Sequence, residues 1–113
     1  MEDFRELMKT VDYVGYAGQG PFYSRVVAGR FTVSVQANRF AYCEPREDLP
    51  IGLYTKMEVA IFEKAEWVIP PQDTRLKNFD WACLFEDDPH TSVAGYVPVE
   101  VVQRICNDLE ALP

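Results

Sequence analysis

Residues 31–37 read FTVSVQA, and this stretch decides the fold. Phe31, Val33, Val35 and Ala37 alternate with Thr32, Ser34 and Gln36. A period of two puts the first set on one face of a β-strand and the second set on the other. Residues 22–28 (FYSRVVA) read as a preceding strand, separated only by Gly29-Arg30. So short a break joins antiparallel neighbours, because a parallel pair needs a crossover of about a dozen residues or more. Beyond residue 37 the apolar parity shifts to Phe40 and Tyr42. Asn38-Arg39 then reads either as a bulge that re-aims the strand or as part of a strand buried on both faces.

The same reading extends outward. Residues 44–53 (EPREDLPIGL) carry prolines, a glycine and charges, and predict a loop. Residues 54–62 predict a strand, with Thr55, Met57, Val59 and Ile61 opposite Lys56 and Glu58. The polar tetrapeptide 63–66 turns it into residues 67–69, a hairpin that stops at Pro70-Pro71. A polar connection follows over 70–80. Residues 81–85 (WACLF) predict a strand ended by Glu86-Asp87-Asp88-Pro89. Residues 93–97 form a short strand that enters a helix through Pro98, which suits a first turn. Val99, Val102, Ile105, Cys106 and Leu109 give that helix an apolar stripe. At the other end, Phe4, Leu7, Met8 and Val11 predict a helix over 2–11. A glycine-punctuated connection (DYVGYAGQGP) spans 12–21. Strands gathered between terminal helices argue for a single α+β domain over residues 1–113. Its expected form is an antiparallel β-sheet of about five strands with N-terminal and C-terminal helices packed on it.

The chain has 113 residues, close to the common size of one domain, and is 48% hydrophobic and 13% aromatic, which excludes a disordered chain. Its 18 acidic and 11 basic residues give a net charge of −7. Residues 1–56 hold seven of each sign, so the whole imbalance lies in 57–113, with eleven acids and four bases. A one-sided acidic field repels nucleic acid and anionic lipid and attracts basic protein surfaces. The N-terminus is acidic and amphipathic, unlike a secretory leader, and no apolar run approaches the ~20 residues that cross a bilayer. A cytoplasmic protein is expected. Cys43, Cys83 and Cys106 are odd in number and widely spaced, unlike a disulfide framework. Cys83, alternating with Trp81 and Phe85, and Cys106, on the helix stripe, read as small buried hydrophobes.

No motif carries catalysis or a cofactor. A thiol nucleophile would need Cys43 beside His90, the single histidine, and the two share no local signature. Zinc ligands come in close pairs, and no two of Cys43, Cys83, Cys106 and His90 lie within one turn. Glu86-Asp87-Asp88 lacks the alternation and turn glycine of a Ca²⁺ loop. Gly15, Gly18 and Gly20 follow a predicted helix and lead into a strand, the reverse of a dinucleotide fingerprint. A pI near 4.6 and the lack of a basic run argue against direct nucleic-acid binding. Aromatic residues are the richer signal. Tyr13, Tyr16, Phe22, Tyr23, Phe40 and Tyr42 interleave with Arg25, Arg30 and Arg39, a mixture suited either to a protein interface or to core packing.

Residues 92–109 (SVAGYVPVEVVQRICNDL), a short strand turning into an amphipathic helix, resemble the ends of small accessory proteins encoded by phages and mobile elements. The short strands at 54–62 and 67–69 share that style. Such proteins include inhibitors of bacterial defence systems, among them anti-CRISPR proteins and nucleotide-signal sponges. The resemblance implies binding in preference to catalysis, and assigns no site residue.

The reading is a small acidic, non-enzymatic binding protein that needs no metal or cofactor and occludes a protein partner with a basic surface. Its expected contacts are Glu86, Asp87 and Asp88, with Asp73, Asp80, Glu63 and Glu66 as neighbours. The alternative is a pocket for an anionic metabolite or nucleotide where the glycine segment meets the sheet. Tyr16, Tyr23 and Tyr42 would line it, with Arg25 or Arg39 for the anion. Neither reading involves a membrane, and both leave a homo-oligomer open.

Overall fold

The computed structural model describes residues 1–11 and 22–113. Its strands are β1 (Thr10–Val11), β2 (Phe22–Tyr23), β3 (Val26–Ala28), β4 (Phe31–Gln36), β5 (Lys56–Glu63), β6 (Glu66–Val68) and β7 (Val93–Pro98), followed by the helix α1 (Val99–Ala111). The class is α+β, with a five-stranded antiparallel sheet and one C-terminal helix.

β5 is the spine of the sheet. Along one side it pairs with β4, from Phe31↔Glu63 to Gln36↔Glu58. Along the other, its C-terminal half pairs with β6 and its N-terminal half with β7. β3 adds outside β4. The alternation read from residues 31–37 sets the two faces. Phe31, Val33 and Val35 are fully buried, and Met57, Val59 and Ile61 of β5 join them on the core face. α1 covers that face with Val102, Ile105, Cys106 and Leu109, all fully buried at helical spacing. Each large apolar side chain so buried contributes about 1.5–3 kcal/mol. Thr32, Ser34, Gln36, Glu58, Ala60 and Phe62 belong to the opposite face, where Ala60 and Phe62 are buried and the rest half-buried.

Two turns fix this arrangement. Lys64 and Ala65 both have positive φ (51° and 64°), which closes the β5–β6 hairpin in the mirror-image geometry that matches strand twist. Gly29, at φ 64°, joins β3 to β4, and a Cβ there would lie 3.2 Å from the Leu109 carbonyl oxygen. Glycine is required there by both the conformation and the approach of α1.

Several expected elements differ. The N-terminal helix over 2–11 is absent: a single 3₁₀ turn, Phe4–Leu7, is followed by β1. Asp3 caps the turn through Arg5 N–H (3.0 Å), and Gln103 of α1 accepts the Phe4 N–H (2.9 Å). Beyond it, the Lys9 carbonyl accepts from Ser24 N–H (2.7 Å), which draws the chain into pairing with β2. Phe4 and Met8 are buried, whereas Leu7 and Val11 are exposed, so the apparent stripe is shared between a turn and a strand. The strand expected over 22–28 is two pieces, β2 and β3. The strand expected over 81–85 is a 3₁₀ turn, Ala82–Leu84, with Trp81, Ala82 and Phe85 buried at helical rather than alternating spacing. Cys83 is therefore exposed, while Cys43 and Cys106 are buried. Asn38-Arg39 is not a bulge within a strand. β4 ends at Gln36, and the Asn38 Oδ1 accepts from the N–H groups of Phe40 and Ala41 (2.8 and 2.7 Å), turning the chain. The sheet's irregularity lies in β7: from Met57↔Val97 to Val59↔Ala94, β5 advances two residues and β7 three. The glycine segment 12–21, with Tyr13 and Tyr16, lies outside the described residues.

Candidate functional site

The turn at Asn38 and the bulge in β7 together build an aromatic–arginine shelf. Residues 39–46 fold back beside this second face, where Glu58 Oε2 accepts the Tyr42 N–H (2.8 Å). The Tyr42 carbonyl accepts the Tyr96 N–H (2.9 Å), the group that the β7 bulge turns away from β5. Tyr96 holds φ 55°, the left-handed region that bulky residues avoid at a cost of about 1–2 kcal/mol. Its ring stands 6.0 Å from that of Tyr42. Gly95 makes the approach possible, because a Cβ there would lie 3.0 Å from the Tyr42 Cβ. The Arg46 guanidinium donates to the Phe40 carbonyl (3.2 Å) and sits 5.7 Å over the Tyr42 ring. Arg39 stands 5.1 Å from the Phe40 ring centre and pairs with Asp48 (3.7 Å). Phe40, Tyr42 and Tyr96 are 52%, 51% and 45% exposed, so three aromatic side chains share one solvent-facing surface.

What lies beneath explains why the shelf holds its shape. Asn38 is buried with its side-chain oxygen fully used. The Cys43 thiol donates to the carbonyls of Asn38 (3.1 Å) and Pro45 (3.4 Å). Burial pushes this thiol's pKa up, which favours its neutral, hydrogen-bond-donating form. Tyr54, buried, accepts the Leu49 N–H (2.8 Å) and donates to the Glu47 carbonyl (2.5 Å). Burial also raises its phenol's pKa. His90, the other half of the thiol–imidazole pair weighed above, lies in the exposed loop at 86–91, its main-chain N–H bonded to Asp88 (2.8 Å).

The expected acidic contacts fall into two groups. Asp73 and Glu63 share Arg75 (2.8 and 2.9 Å), whose guanidinium also lies 5.0 Å from the Phe31 ring centre. These hydrogen bonds hold both carboxyls below their ordinary pKa. Asp80 pairs with Arg104 (2.8 Å). Glu86, Asp87 and Asp88 make no ion pair among the described residues. Glu86 accepts from Thr91, Asp87 from Gln72 and Asp88 from the His90 main chain. This loop leads directly into β7, the strand that carries Tyr96.

The described residues of the expected anion pocket each have other partners, and Tyr16 lies outside the described residues. Arg25 stacks over Phe62 (3.8 Å), Arg39 is at Asp48, Tyr42 packs on Tyr96, and the main chain of Tyr23 bonds the Gln36 side chain (2.9 Å). A cavity of about 150 Å³ does open in this region, lined by Phe22, Gln36, Asn38, Phe40, Ala41 and Glu58. None of the four described pocket residues lines it. Glu58, Arg46 and Tyr96 were not legible as site residues. The one local signal for Tyr96 is Gly95, which interrupts the alternation of β7.

Among the described residues no group of three or more His, Cys, Asp or Glu side chains is arranged to hold a metal ion. No helix among them is long and apolar enough to cross a membrane. No protein-family model, curated protein or solved structure matches the chain.

Proposed function

We propose that this protein is a non-enzymatic binding protein that occludes a basic surface of a protein partner, in the manner of the inhibitors that phages and mobile elements direct against host defences. The shelf of Phe40, Tyr42 and Tyr96 with Arg39 and Arg46 is the observation that carries this reading. Exposed aromatic and arginine side chains are the residue types that dominate binding energy at protein interfaces. Here they sit on backbone already fixed by hydrogen bonds, so docking orders little that is not ordered beforehand. The acids at 86–88, outside any ion pair among the described residues, supply a field that attracts a basic partner.

The test is photo-crosslinking in a lysate of cells that naturally contain the protein. A benzophenone amino acid replaces Phe40 in one variant and the exposed Lys77 in another. The reading expects one discrete basic protein joined to position 40, absent at position 77, and lost when Tyr42→Ala is added. Identical patterns from both positions would refute it.

A further inference from the structure

We infer that the cavity between Phe22 and Phe40, with Glu58 on its wall, receives a lysine side chain of the partner. The inference rests on the proposed reading and names the chemistry its interface reads.

Three observations support it. The first is size. At about 150 Å³ the cavity is too small for a drug-sized ligand, which needs ~300 Å³ or more. It has room for one side chain, such as the five non-hydrogen atoms of lysine.

The second is charge. Among the described residues the lining holds one ionisable group, the Glu58 carboxylate, and no cation. Glu58 makes no ion pair among the described residues, and residues 12–21 contain no Lys, Arg or His that could supply one. Oε2 is fixed by the Tyr42 N–H, which orients the carboxylate. A half-buried carboxylate attracts an ammonium more strongly than one in bulk water.

The third is the wall chemistry. Phe22 and Phe40 give the wall its aromatic surface, suited to the stem and head of a lysine, and the amides of Gln36 and Asn38 are bonded to the protein's own groups. Arg39 stands 5.1 Å from the Phe40 ring centre but does not line the cavity, and it is committed to Asp48.

The test uses the full chain and n-butylammonium, which reproduces the lysine side chain. Amide ¹H–¹⁵N spectra are followed at constant ionic strength, with n-butanol as the uncharged control. The expected result is a saturable shift of the Phe40, Ala41 and Tyr42 amides with butylammonium and none with butanol. Glu58→Gln keeps an oxygen for the Tyr42 N–H, so its remaining spectrum should be unchanged while the saturable shift is lost. Phe40→Ala, at an exposed position, should weaken the shift several-fold without unfolding. No saturation in the wild type, an equal response to butanol, or a full response in Glu58→Gln would overturn the inference.

The crosslinked partner gives the second arm. Glu58→Gln should weaken its binding about tenfold, the weight of one hydrogen bond to a charged group. Undiminished binding would overturn the lysine pocket and leave the binding function standing. Failure of the wild type to capture any basic protein would remove the proposed function, and the butylammonium result would still decide whether the cavity takes an ammonium group.

Discussion

The loop at 86–91 and the shelf at 39–46 both face solvent, yet they are built in opposite ways. Two of the loop's three carboxylates bond near neighbours, Glu86 to Thr91 and Asp88 to the His90 main chain, and Asp87 accepts from Gln72. The shelf is tied across the sequence, from Tyr42 to Glu58 and Tyr96, with Asn38, Cys43 and Tyr54 buried beneath it. An exposed charge attracts from a distance and needs no fixed geometry. An aromatic contact gains affinity only where its shape is held in advance. The difference therefore assigns the loop to association and the shelf to retention of a partner.

The largest effect should come from the anchor on which the loop's side of the molecule depends. Trp81 is buried, stacked 5.0 Å from Phe79, with its indole N–H on Asp108 (2.8 Å). Trp81→Ala should cost about 3–5 kcal/mol in urea denaturation, through lost burial and the cavity left behind. A loss below about 1 kcal/mol would show that this connection is not packed as described.

Beneath the shelf, Asn38→Ala strands two main-chain N–H groups and should cost about 2 kcal/mol. Unlike Trp81→Ala, it should also broaden or shift the amides of residues 39–43 in NMR spectra of the still-folded protein. Unchanged amides there would mean the shelf does not depend on this turn.

Tyr96→Gly separates binding from stability. Relief of the left-handed strain, about 1–2 kcal/mol, offsets the lost ring contact and the added chain entropy. Stability should stay within about 1 kcal/mol while partner capture falls. A large destabilisation with intact capture would make Tyr96 structural only.

The smallest effect distinguishes paired acids from loop acids. Asp73 has a depressed pKa because Arg75 bonds its charged form. Its contribution is complete above the ordinary carboxylate pKa and is lost as pH falls through the lower folded value. Asp73→Asn should therefore cost about 0.5–1 kcal/mol at neutral pH, and the gap to wild type should close below about pH 4. Asp87→Asn, at an exposed position, should change stability by less than about 0.5 kcal/mol at neutral pH. Equal effects from the two substitutions, read by urea titration, would erase the distinction.

The sheet and C-terminal helix were legible because their signals are local and periodic: the alternation of 31–37, the run 54–62, and the stripe from Val102 to Leu109. The N-terminal helix misled because Phe4 and Met8 at one turn's spacing also satisfy a short cap followed by a strand. Residues 81–85 misled because Trp81 and Phe85 fit alternation and a helical turn equally well. The shelf was half visible. Phe40 and Tyr42 stood out, but Tyr96 joins them through a bulge set by register against β5, and no local pattern reports that. Likewise Glu63 and Asp80 look like free acids until the fold brings Arg75 and Arg104 to them.

The most direct test is the kinetics of partner binding, measured at low and high salt for two variants. Reversing Glu86, Asp87 and Asp88 to lysine should slow association at low salt, converge with wild type at high salt, and leave dissociation unchanged. Tyr42→Ala should accelerate dissociation at both salts and leave association unchanged. The opposite assignment, with the loop controlling dissociation and the shelf only the salt-sensitive on-rate, would contradict the account.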